Sequence, residues 1–173
     1  MPKLSLAALL AFAPLGLSAH ADRIFTLSNV TLSSATTGGT SSGTLTGTFT
    51  TNDAMSALVA YNIVASASGS FTGFTYTPAT APVSATTLPS QYFQLDSAGS
   101  VNELRLYFTN GLSASGGTLS SANSYEHEAS GGNRFASGSV VAAATAVTPE
   151  PSSIVLLGTG LLGAVGAIKR RRA

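Results

Sequence analysis

The residues best suited to chemistry sit together in Tyr125-Glu126-His127-Glu128. An imidazole flanked by two carboxylates is a set that could hold a metal ion. In an extended segment, however, Glu126 and Glu128 point to one side and His127 to the other. One imidazole with its acids on the opposite face makes a poor zinc site, and the segment reads as a solvated polar strand end. A serine nucleophile would need a histidine and an orienting acid. The chain has no G-x-S-x-G turn, and its many serines lie in low-complexity polar runs. Asp53, Asp96, Glu103, Glu126 and Glu128 could supply a pair of glycosidase carboxylates, yet nothing in the sequence pairs two of them across a cleft. The glycine pairs Gly38-Gly39, Gly116-Gly117 and Gly131-Gly132 sit among polar turn residues, not ahead of a helix where a phosphate would bind. The expectation is a chain with no catalytic residue, no cofactor and no metal: not an enzyme.

Binding suits these residues better. Phe71, Phe74, Tyr76, Tyr92 and Phe93 lie close in sequence, and aromatic rings exposed on a sheet can stack against sugars. In a chain without tryptophan most of them are expected to fill the core instead. Thr46-Gly47-Thr48 and Thr75-Tyr76-Thr77 have the Thr-x-Thr spacing of some ice-binding surfaces. No fixed-period repeat accompanies them.

The elements that would position these groups are short strands. Charged residues make up only 9% of the chain, and Ser, Thr, Gly and Ala dominate its middle, a composition poor for helices. Alternation bounded by turn residues marks strands at Arg23–Leu32, Gly43–Thr50 (with Leu45 and Phe49 on one face), Leu58–Ser66 and Phe71–Thr77. Thr51-Asn52-Asp53-Ala54 reads as a turn, and Pro78–Pro89, with three prolines, as a surface loop. Gln91–Leu95 and Val101–Thr109 follow. In the latter Leu104, Leu106 and Phe108 alternate with Glu103, Arg105 and Tyr107, the clearest half-buried strand in the chain. Asn110-Gly111 is a hairpin signal, and Ser124–Glu128 and Asn133–Val147 complete the set. About eight strands with regular turns predict an all-β fold, an antiparallel β-sandwich, with a small barrel or jelly roll as the alternative.

Both ends of the 173 residues are apolar runs of a targeting kind. Residues 1–21 read as a signal peptide: Lys3, an apolar stretch from Leu4 to Leu17, then Ser18-Ala19-His20-Ala21. Ala19 and Ala21 fit the small-x-small cleavage pattern, which predicts Asp22 as the first mature residue and signal peptidase as a partner. Residues 22–146 form the exported domain. Within Asp22–Thr148, Arg23, Arg105 and Arg134 stand against Asp22, Asp53, Asp96, Glu103, Glu126 and Glu128, a charge of −3. Such a body offers nucleic acid no basic face. No cysteine is present, which leaves no disulfide and no lipidated cleavage site.

The C-terminal segment, residues 147–173, has three parts in order. Pro149-Glu150-Pro151 keeps the chain extended. An apolar helix follows over roughly 152–168, short for a bilayer span and cappable by Ser152 or Ser153. Lys169, Arg170, Arg171 and Arg172 then hold that end in the cytoplasm by the positive-inside rule.

This tail resembles the PEP-CTERM sorting signal, a family of tails also labelled as the C-terminal domain of ice-binding proteins. The resemblance implies recognition by an exosortase, a membrane cysteine peptidase that cuts near Pro149-Glu150-Pro151. The body would be anchored in the inner membrane only transiently, then released or passed to the envelope, in organisms that often make exopolysaccharide. The body is also similar to a domain that recurs in PEP-CTERM proteins, through Gly47-Thr48-Phe49 with Asp53, Tyr61-Asn62-Ile63, Leu104-Arg105-Leu106, Gly116-Gly117-Thr118, Glu128 with Arg134, and Gly138-Ser139-Val140. No chemistry comes with that likeness. The expected function is a structural or adhesive, exopolysaccharide-associated surface protein. A glycan- or ice-binding module is the alternative, and a polysaccharide hydrolase stands third.

Overall fold

Alternating short apolar and hydroxyl side chains favour extended backbone, because each strand can bury one face while the other stays wet. The computed structural model of the protein describes residues 22–35, 40–129, 132–143 and 160. Apart from the last, these lie within one unit, His20–Thr145. The described residues form ten strands: β1 Arg23–Ser33, β2 Ser41–Thr51, β3 Leu58–Ala65, β4 Phe74–Tyr76, β5 Val83–Thr86, β6 Tyr92–Asp96, β7 Asn102–Tyr107, β8 Gly116–Thr118, β9 Tyr125–Glu128 and β10 Gly132–Ala142. All pair antiparallel, in the order β4-β3-β2-β1-β10-β9-β7-β6-β5. Strand β10 is long enough to serve two partners on one edge, β9 along Gly132–Phe135 and β8 along Ser139–Val141.

The fold is thus all-β and antiparallel, and its strands form one continuous sheet. That sheet curls until its two halves face each other. Phe49 of β2 lies 5.1 Å from Phe93 of β6 and 6.5 Å from Phe108. Phe25 of β1 stacks on Phe49 at 5.1 Å. Every one of these rings is fully buried, among Leu32, Leu45, Ile63, Leu95, Leu104 and Leu106. Tyrosine hydroxyls tie the two halves together: Tyr61 donates to the Ala81 carbonyl at 2.7 Å, and Tyr76 of β4 to the Glu103 carbonyl of β7 at 3.2 Å.

The expected inward set on β2 and β7 is the observed one, with Leu45, Phe49, Leu104, Leu106 and Phe108 all buried. Three expectations need correction. The proline-rich stretch Pro78–Pro89 contains β5, a four-residue edge strand between Pro82 and Pro89 that pairs with β6. Proline is tolerated beside an edge because the missing N–H faces no neighbour. The strand expected over Phe71–Thr77 is only Phe74–Tyr76, with Phe71 held in an isolated bridge to Ser68. Asn110-Gly111 does turn the chain, so that Thr109 N donates to Thr118 O at 3.0 Å. The returning strand β8 nevertheless pairs with β10, while β7 pairs with β9. No helix among the described residues is long and apolar enough to cross a membrane. The helix expected near 152–168 and the signal peptide lie outside the described residues.

Candidate functional site

Strands β9 and β10 place the chemistry-bearing tetrad. As alternation required, Glu126 and Glu128 share one face and His127 takes the other. The face that carries the acids is the interior: Glu126 is fully buried and Glu128 nearly so. This corrects the reading of a solvated strand end, and the cause is Arg134, directly across the ladder from Glu126. Arg134 is the largest fully buried side chain of the domain. Its Nε donates to Glu126 Oε2 at 2.6 Å, and its Nη2 completes the ion pair with the same carboxylate. Nη1 donates to the carbonyls of Ser66, at 2.9 Å, and Ser42. The guanidinium carbon also stands 4.2 Å from the centre of the Phe71 ring.

Glu128 accepts from Thr72 N at 2.7 Å and Thr72 Oγ1 at 2.8 Å. Together Arg134 and Glu128 fasten the 66–72 connection onto β9 and β10. Burial pushes the Glu126 carboxyl above the usual carboxylate range, opposed by the Arg134 charge. The same burial, with Glu126 and Glu128 nearby, pushes the Tyr76 phenol far up. The two carboxylates and the guanidinium are spent on one another, on Thr72 and on two backbone carbonyls, with Nη2 held by its ion pair alone, so the arrangement is a clasp. His127 faces away and shares a 2.8 Å hydrogen bond with the Asn133 side chain.

The outer face of β6, β7 and β9 is built differently. Tyr92, Gln94 and Asp96 of β6 stand opposite Tyr107, Arg105 and Glu103 of β7, and Arg105 in turn stands opposite Tyr125 of β9. Tyr92 and Tyr107 lie nearly parallel, 11° apart with centres at 6.1 Å. The Arg105 guanidinium lies 5.0 Å from the Tyr92 ring and 5.2 Å from the Tyr125 ring. Its Nε donates to Gln94 Oε1 at 2.9 Å, and Gln94 Nε2 donates to Asp96 Oδ1 at 3.2 Å. The Tyr125 hydroxyl donates to Glu103, and burial together with that bond pushes its pKa up to about 12.

Of the aromatic cluster singled out in the sequence, Tyr76 and Phe93 are core, Phe74 packs beside it and Phe71 covers Arg134; Tyr92 alone joins the outer face. Sequence reasoning placed Arg105 and Tyr107 on the wet side of β7 but not Tyr125 beside them. The register of β7 on β9 brings it there, and sequence periodicity says nothing about register between strands. A groove of about 330 Å³ opens between β1 and β2, where the register shifts between Thr26 and Val30. Leu27, Val30 and Leu45 form its floor, Asn29, Thr31, Thr44 and Thr46 its rim, and it holds no carboxylate.

The expected sorting residues Pro149, Glu150, Pro151 and Lys169–Arg172, and the cleavage residues Ala19 and Ala21, lie outside the described residues. Comparison with known families addresses the first group. Residues 147–172 match the family model of the PEP-CTERM protein-sorting motif. The chain carries a PEP-CTERM sorting motif. Such a motif implies export, membrane-anchored transit and processing by an exosortase. The match spans the tripeptide, the apolar stretch and the basic residues, and does not extend into the domain. No curated protein and no solved structure matches the chain.

Proposed function

We propose that this chain is a non-enzymatic surface or extracellular-matrix protein, structural or adhesive, that associates with exopolysaccharide after being sorted by its PEP-CTERM tail. The observation that carries the reading is the motif over residues 147–172. Signal peptidase removes residues 1–21 after Ala19-His20-Ala21. The apolar stretch near 152–168 then arrests the chain in the inner membrane, with Lys169–Arg172 in the cytoplasm. An exosortase cuts near Pro149-Glu150-Pro151, and the β domain passes to the envelope or the medium.

The domain's own construction supports a binding or structural role. Its buried acids are spent on the Arg134 clasp, and the groove between β1 and β2 offers hydroxyl and amide groups without an acid–base pair. Glycan binding is the second reading, favoured by the tyrosine-rich outer face. Thr44, Thr46 and Thr48 do share an exposed side of β2. The bulge between Thr26 and Val30 breaks the flat, repeated array that contact with ice requires, so glycan is preferred over ice.

Expression in the natural host and in a strain lacking its exosortase tests the sorting reading. The protein should reach the envelope or medium in the first and stay in the membrane fraction in the second. Equal membrane retention in both strains would overturn it.

A further inference from the structure

We propose that the outer face of β6, β7 and β9, centred on Tyr92, Arg105, Tyr107 and Tyr125, binds a neutral hexose polymer. The inference rests on the reading of the chain as exported, since an exported protein is the one that meets extracellular glycan.

The chain distributes its side chains unevenly. It has five tyrosines. Tyr61 and Tyr76 are buried, and the other three stand together on this face. The outer side of β2 presents small hydroxyls instead. A pyranose ring has an apolar C–H face bordered by hydroxyls, so it calls for flat apolar surface beside groups that donate and accept. The nearly parallel, half-buried Tyr92 and Tyr107 rings are the flat apolar groups of this face. Arg105 supplies donors, and the Glu103 and Asp96 carboxylates, which can each accept more than the one side chain now bonded to them, supply acceptors along the neighbouring row.

The groups are already held in place. Arg105 is fixed between two rings and bonded to Gln94, and Tyr125 is bonded to Glu103. Little side-chain freedom remains to be lost on binding. Among the described residues no group bonds the hydroxyl of Tyr92 or of Tyr107, which leaves both for a ligand.

Charge selects the class of polymer. Asp96 and Glu103 make up the row beside the single Arg105, with His127 across from Glu103, in a domain whose net charge is −3. A uronate-rich chain would be repelled, whereas an uncharged one would not. Cross-strand aromatic pairs also stabilise a sheet, a role that shows in the melting temperature and not in polymer affinity.

The full-length protein in detergent is run through native gels containing a neutral β-glucan, a neutral galactomannan or an anionic alginate. Retardation by a neutral polymer and not by alginate is expected. The paired variant Tyr92→Thr/Tyr107→Thr keeps β-forming residues on both strands. It should bind about tenfold more weakly while melting cooperatively near the wild-type temperature. Where that variant fails to fold, the tyrosine fluorescence of the wild type serves instead, since the chain has no tryptophan. Titration with the retarding polymer should change the emission. Absence of retardation by both neutral polymers, preference for alginate, unchanged affinity in a folded double variant, or unchanged emission would each overturn the proposal. A chain with Pro149, Glu150 and Pro151 changed to alanine should bind like the wild type, so a failure of binding and a failure of sorting are read separately.

Discussion

Arg134 joins three separate segments of the chain through its buried guanidinium. Glu126, the Ser42 carbonyl and the Ser66 carbonyl all depend on it. A buried charge that loses its partner is costly. Arg134→Met strands Glu126 beside Glu128, and should lower the unfolding free energy by about 3–5 kcal/mol, read from the urea midpoint. The pH dependence has a definite sign. Because burial raises the Glu126 carboxyl above its ordinary value of 4.5, the folded state holds that proton more tightly than the unfolded chain does. The group's contribution is full below pH 4.5 and declines as pH rises through the raised value. Glu126→Gln should flatten that part of the stability profile; a profile with the same slope in the variant would assign it to another group. The sequence showed that Glu126 and Glu128 share a face. Which face lies inward was not legible, because an inward row of carboxylates contradicts hydrophobic patterning until the opposed arginine is known.

Strands were the legible elements, and the errors fell where the ladder departs from simple alternation. Strand β5 hid between prolines because an edge strand needs only one side of its backbone paired. The partners of β8 and β9 were invisible because pairing between strands distant in sequence is set by the whole curl, not by local turns. Glycines mark the tight points of that curl. Gly47 has φ +122°, and a Cβ there would stand 2.0 Å from the Asn62 carbonyl oxygen on the neighbouring strand. Gly69 has φ +61° and nothing within 4 Å. Gly69→Ala should therefore cost only the left-handed penalty of about 1–2 kcal/mol. Gly47→Ala adds a backbone collision and should cost more, with disturbed amide signals along β2 and β3. Equal costs in chemical denaturation would show that β2 and β3 can separate without penalty. The core makes a parallel prediction. Phe49 touches Phe25, Phe93 and Phe108 across both halves of the sheet, so Phe49→Ala should cost about 3–5 kcal/mol by calorimetry.

The molecule as a whole joins a domain with its polar chemistry turned inward or bonded on its surface to a tail that carries a PEP-CTERM sorting motif. The tail was legible because its meaning lies in order and composition, Pro-Glu-Pro, then an apolar run, then a basic cluster, and none of these depends on tertiary contacts. The outer face of tyrosines was not legible, because it exists only once β6, β7 and β9 are in register. Export and tail removal are the central proposal for this protein. The most direct test is the intact mass and cell fraction of the mature protein in its own host, beside a variant with Pro149, Glu150 and Pro151 changed to alanine. The wild type should begin at Asp22, end near Pro149 and have left the inner membrane, whereas the variant should keep Lys169–Ala173 and stay there. Wild type and variant both retained in the inner membrane with Lys169–Ala173 intact would contradict it, and the tail would then be an anchor alone.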